Sequence, residues 1–126
     1  MVPARYNFQR LYEGDTYDGI RITVETVAHG VTTPVDISDI EIVLQARSAE
    51  GELFLTLYEG AGGINKVDPT LGVFHVGPFV VPAAGYYDYD IQFTYPDLAV
   101  KTYMAGRMIV EEGVVSTVHD SEDLER

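Results

Sequence analysis

Gly85-Tyr86-Tyr87-Asp88-Tyr89-Asp90-Ile91-Gln92-Phe93-Thr94 is the stretch that decides the fold. Tyr89, Ile91 and Phe93 alternate with Asp88, Asp90, Gln92 and Thr94. Successive side chains of a strand point to opposite faces, so a period of two puts one face on a core and the other in water or against a partner. The same period runs through Ile20, Ile22 and Val24, through Ile40, Ile42, Leu44 and Ala46, and through Leu53, Leu55 and Leu57. Less regular strand signals lie around Val73 to Val81, Thr102 to Val110 and Tyr6 to Tyr12. The breakers fall between these runs. Ala49-Glu50-Gly51-Glu52 and Tyr95-Pro96-Asp97-Leu98 read as hairpin turns, and Asp68-Pro69-Thr70-Leu71-Gly72 as a turn opened by proline and closed by glycine. Gly60-Ala61-Gly62-Gly63 reads as a loop or bulge, and no helical period is found.

The expected fold is all-β: an immunoglobulin-like β-sandwich of about seven to eight short antiparallel strands. Residues 19–115 form the sandwich, 1–18 an N-terminal arm or edge strand, and 116–126 an acidic C-terminal tail holding Asp120, Glu122, Asp123 and Glu125. The expected core contains Ile42, Leu44, Leu55, Tyr89, Ile91 and Phe93.

Composition excludes several functions. The 126 residues carry 8 Lys and Arg against 20 Asp and Glu, a net charge of −12. Such a chain repels phosphate and anionic lipid, so neither nucleic acid nor a membrane surface is an expected partner. Without cysteine there is no disulfide scaffold, zinc-thiolate site or cysteine nucleophile. The opening Met1-Val2-Pro3-Ala4-Arg5 lacks the pattern of a secretory leader, which sets the expectation of a protein made in a cytoplasm.

Candidate chemistry is sparse. His29, His75 and His119 are spread over a loop, a strand and the tail, with no spacing that makes them metal ligands. Ser38, Ser48, Ser116 and Ser121 lie in no nucleophile elbow. Asp15 and Asp18 flank a turn, and Asp88 and Asp90 share a strand face about 7 Å apart, a separation that suits calcium or paired acids. The simpler reading of Asp88 and Asp90 is the polar face of an alternating strand. The expectation is no enzyme, no catalytic residue, no cofactor and no metal.

The nine tyrosines carry more information. Tyr86, Tyr87, Tyr89, Tyr95 and Tyr103 cluster around one hairpin, and Tyr6, Tyr12 and Tyr17 near the N-terminus. Tyrosine offers rigid contact area with a polar tip, which suits interfaces, while part of the group fills the core. Tyr6, Phe8, Tyr12, Tyr17, Tyr86 and Tyr95 are the candidate interface residues. Tyr86 or Tyr87 fits the corner tyrosine of an immunoglobulin-like sandwich.

Beyond composition, the order of motifs has a familiar cadence. Val35-Asp36-Ile37-Ser38 leads into Ile42-Val43-Leu44-Gln45-Ala46-Arg47. Gly72-Val73-Phe74, the Gly85–Thr94 strand, a Pro-Asp turn, Gly106 and Met108-Ile109-Val110 follow. From about Gly19 to Val115 the chain resembles small tailed-phage virion proteins and is similar to the N-terminal attachment domain of baseplate upper proteins. It departs from them at Leu98, where a hairpin glycine is usual. The resemblance implies a non-enzymatic virion component, a tail or baseplate adaptor present in many symmetric copies. It would be assembled in the host cytoplasm and bound to other virion structural proteins. A capsid decoration protein and a carbohydrate-binding or adhesin module are the alternatives.

Overall fold

The computed structural model describes residues 4–112. The acidic tail, His119 and the last residues of the expected sandwich segment lie outside the described residues.

The chain is all-β, as expected. One sheet of nine strands is ordered β1 (Ala4–Arg5), β13 (Val100–Glu111), β12 (Gly85–Thr94), β7 (Glu41–Ser48), β8 (Leu53–Glu59), β9 (Gly63–Asp68), β10 (Val73–Val76) and β4 (Ile20–Thr23), with β2 (Leu11–Tyr12) also on β13. Two small sheets accompany it: β3 (Thr16–Tyr17) with β11 (Phe79–Val80), and β5 (Glu25–Ala28) with β6 (Val31–Pro34). The long strands β7, β12 and β13 pair antiparallel.

Between β8 and β9 the pairing is parallel and only Tyr58↔Gly63 and Glu59↔Ile64 are in register. There the sheet turns over, so that β9, β10 and β4 cover β8, β7, β12 and β13. Phe74 of β10 meets Phe93 of β12 edge-on across this core, ring centroids 6.1 Å apart. Ile37, Ile42, Leu44, Ile64, Phe74, Val76, Ile91 and Met108 are wholly buried, and no polar or charged side chain joins the core of the described residues. The alternation of Gly85–Thr94 is thus realised: Tyr89, Ile91 and Phe93 point inward.

Leu55 keeps its expected side and packs half-buried against the core, in register with Ala46, whereas Leu53 does not follow. Arg47 pairs with Leu53 and Ala46 with Leu55, so the register slips by a residue at Phe54. Such a bulge re-aims side chains. Leu53 becomes 53 % exposed, while Leu55 stays half-buried against the core and Leu57 is buried in it.

The N-terminal segment is a strap inside the fold and does not stand off as an arm. The amides of Tyr6 and Phe8 donate to the carbonyls of Ala105 and Arg107, each at 3.1 Å, and that of Glu13 donates to Glu111 at 2.8 Å. The Asn7 side chain accepts from the Arg107 amide, and Arg10 pairs with Glu111. Both β1 and β2 run parallel to β13. The alternation Tyr6, Phe8 with Asn7, Gln9 turns Phe8 into the core, and Leu11, on β2, is buried as well.

The hairpin turns are observed. Gly51 has φ 86° and donates to the Ser48 carbonyl. Leu98 has φ 70°, and its amide donates to the Tyr95 carbonyl while Asp97 accepts from the Ala99 amide. Left-handed backbone costs a residue with a Cβ about 1–2 kcal/mol. Part of that is offset by the larger entropy glycine brings to the unfolded chain, about 0.5–1 kcal/mol. Leu98→Gly is therefore expected to stabilise the domain by about 0.5–1 kcal/mol. Leu98 is 79 % exposed, so no core contact is lost. A lower urea midpoint for the variant would contradict this account of the turn.

Candidate docking face

The outward side of β8, β7, β12 and β13 is uncovered among the described residues. The pairing puts Ile109 beside Tyr86, Asp88 between Arg107 and Arg47, and Asp90 between Ala105 and Gln45. Tyr86 is 79 % exposed. Its neighbour Tyr87 points the other way. The Tyr87 ring stacks on Phe54 with centroids 3.4 Å apart, and its hydroxyl donates to the carbonyl pair of Ala83 and Ala84 at 3.1 and 3.2 Å. Tyr87 thus takes the corner position, tying β12 back to the preceding turn. Burial, and then the Glu13 carboxylate, raise its hydroxyl above the ordinary phenol range.

Two clefts flank Tyr86. One of about 480 Å³ is lined by Ser48, Glu50, Glu52, Leu53, Phe54 and Tyr87. The other, of about 370 Å³, lies between Tyr86, Asp88, Arg107 and Ile109. Gly85 leaves room for this packing: a Cβ there would sit 2.7 Å from the Tyr87 hydroxyl.

The candidate interface residues divide. Tyr86 faces outward, and Tyr12 is 38 % exposed at the end of the strap. Tyr95 packs half-buried against the core. Phe8 is corrected: it is only 6 % exposed, because the strap turns it inward, and it has no surface to offer a partner. Tyr6 and Tyr17 join it in an edge-on aromatic cluster, with ring centroids 5.3 and 5.6 Å from Phe8, and Tyr89 completes the cluster at 4.9 Å. The Tyr89 hydroxyl donates to the Tyr6 carbonyl. Burial and then Tyr6 push Tyr17 up to about 12, and burial likewise raises Tyr89.

This cluster predicts an alkaline limit. The unfolded chain releases its phenol protons near pH 10, whereas Tyr17 holds its proton to about 12. Between those values the unfolded state binds fewer protons, so stability is fully present below about pH 10 and declines above it. Thermal melts from pH 8 to 12 should show this decline, with a shallower slope in Tyr17→Phe. A melting temperature flat to pH 12 would rule it out.

Asp88 and Asp90 share the outer face as expected, but the cross-strand neighbours of Asp88 are Arg47 and Arg107 rather than further oxygen ligands. Desolvation raises the Asp90 carboxyl, partly offset by Arg47. Among the described residues no group of three His, Asp or Glu side chains is placed to hold a metal ion. His75 lies mid-strand against the Gly77 carbonyl, and His29 sits at a hairpin tip.

That hairpin is the surface feature the sequence reading passed over. Among the described residues β5 and β6 pair only with each other, joined by His29 and Gly30 at φ 52° and 78°. All eight strand residues are exposed, with Val27 at 72 % and Val31 at 63 %. The signal was present: a two-residue X-Gly step flanked by Thr and Val, which favours a tight turn matching strand twist.

No helix of the described residues is long and apolar enough to cross a membrane. No protein-family profile matches the chain, and no curated protein matches its sequence. Solved structures give distant likenesses. One is CopC from Methylosinus trichosporium OB3b, with 9 % identity and a TM-score of 0.42, covering 89 % of this chain and 86 % of that one. Another is Drosophila OTK, extracellular domains 3-5, with 18 % identity and a TM-score of 0.35, covering 88 % of this chain and 33 % of that one.

Proposed function

We propose that this protein is a non-enzymatic structural subunit of a tailed-phage virion, an adaptor of the tail or baseplate that docks in many copies on neighbouring virion proteins. The observation that carries the docking role is the β5–β6 hairpin, which exposes Val27 and Val31 and pairs with no other strand among the described residues. A hairpin of this kind presents unpaired edge N–H and C=O groups and β-branched side chains, the means of strand addition to a partner sheet. The cadence of the Gly19 to Val115 segment supports the virion setting. The charge of −12 keeps free subunits apart until a partner captures them.

The test is a chain in which residues 26–33 are replaced by a two-residue turn, supplied in place of the parent during particle assembly. The hairpin residues are exposed, so the melting temperature should change by no more than a few degrees while incorporation into particles is lost. Val27→Glu with Val31→Glu, which keeps the hairpin, should act the same way. Particles that take up either folded variant as well as the parent would refute the docking role.

A further inference from the structure

The larger cleft beside Tyr86 is lined by both aromatic and acidic residues. Phe54, Tyr86 and Tyr87 line it, Phe54 and Tyr87 stacked on each other, and so do Glu50 and Glu52 on the turn after β7. Neither glutamate has an ion-pair partner among the described residues, where the ion pairs are Arg10 with Glu111 and Lys66 with Glu59. The nearby cations are already engaged or turned away. Arg47 donates to the Gly51 carbonyl and the Gln45 side chain, and Arg107 lies in the other cleft, next to Asp88. Glu13 accepts from the Ala84 amide behind Tyr87 and adds negative charge.

We infer that this cleft binds a cationic side chain, an arginine or lysine borne on an extended segment of a partner protein. Ring faces attract a guanidinium or ammonium through their quadrupole, and apolar lining accommodates the aliphatic stem. The carboxylates then pair with the charged head. Leu53, 53 % exposed because of the bulge at Phe54, adds apolar lining to the cleft. A neutral sugar would use the rings but gain little from two unpaired carboxylates, which makes the cation the better match. The site is separate from the β5–β6 hairpin, and its assay reads the isolated chain without reference to particles.

The probe is the blocked tripeptide acetyl-Gly-Arg-Gly-amide, titrated into the isotope-labelled full chain and followed by NMR. Shifts should concentrate on Phe54, Gly85, Tyr86 and Tyr87, and fade as salt is raised. Tyr86→Ala should weaken binding about fivefold, as loss of a cation–π contact does. Glu50→Gln with Glu52→Gln should weaken it further and remove most of the salt dependence. Both sets of residues are at the surface, and the dispersed spectrum of each variant reports that it is folded. Shifts spread over the acidic surface, with no loss in Tyr86→Ala, would overturn the inference. So would shifts at Tyr86 produced by a neutral disaccharide such as maltose but not by the arginine peptide.

Discussion

Deleting residues 1–12 is expected to destabilise the domain severely. The truncation strips Phe8 and Leu11 from the core, each about 6 % exposed in the intact chain. Burying one such side chain contributes about 1.5–3 kcal/mol, so the pair accounts for about 3–6 kcal/mol. Native domains hold only about 5–15 kcal/mol in total. The deletion also opens one flank of the aromatic cluster and leaves the Tyr89 hydroxyl without the Tyr6 carbonyl. Urea denaturation followed by circular dichroism should show a midpoint shifted far down or no cooperative transition. A truncated chain melting within a few degrees of the parent would mean that the strap contributes little.

Gly106→Ala should produce much of the same loss with one methyl group. A Cβ at Gly106 would lie 1.9 Å from the Tyr6 carbonyl oxygen, 2.8 Å from its carbon and 3.0 Å from the Asn7 side-chain oxygen. Two of those atoms are backbone, so the strap must lift. Overpacking of this sort costs about 1–3 kcal/mol and occasionally more. Hydrogen exchange locates the effect: the amides of Tyr6 and Phe8, which donate to β13, should lose protection before those of β7 or β12. In the chain lacking residues 1–12 the same substitution should be nearly neutral, since its partner is gone. An equal cost in both backgrounds would place the strain elsewhere.

Much of the fold was legible because its long strands are one-sided. Ile42, Leu44 and Ala46 on β7, and Tyr89, Ile91 and Phe93 on β12, keep a strict period of two, and all are buried. Leu53 keeps the period of Leu55 and Leu57 yet points away from the core, because a bulge is a pairing event between strands and leaves no mark on one of them. The strap was ambiguous for a related reason. Tyr6 to Tyr12 looks the same whether its aromatics face the core or a partner, and the choice rests on β13, about a hundred residues away in sequence. The cleft beside Tyr86 was hidden likewise. Glu50, Glu52, Phe54 and Tyr86 come from two separate stretches that only the β7–β12 pairing and the Phe54–Tyr87 stack bring together.

The parallel pairing of β1 and β2 with β13 also determines how the domain bears tension. If the described chain is pulled apart at residues 4 and 112, the load enters at the start of β1 and leaves at the end of β13. Those strands point the same way, so opposite pulls slide one along the other. The links at Tyr6, Phe8 and Glu13 are then stretched together, whereas an antiparallel pair pulled from its open end unzips one bond at a time. Rupture under force is governed by the unfolding rate rather than by equilibrium stability. The strap therefore makes the domain a shear-loaded fastener against a pull applied at residues 4 and 112.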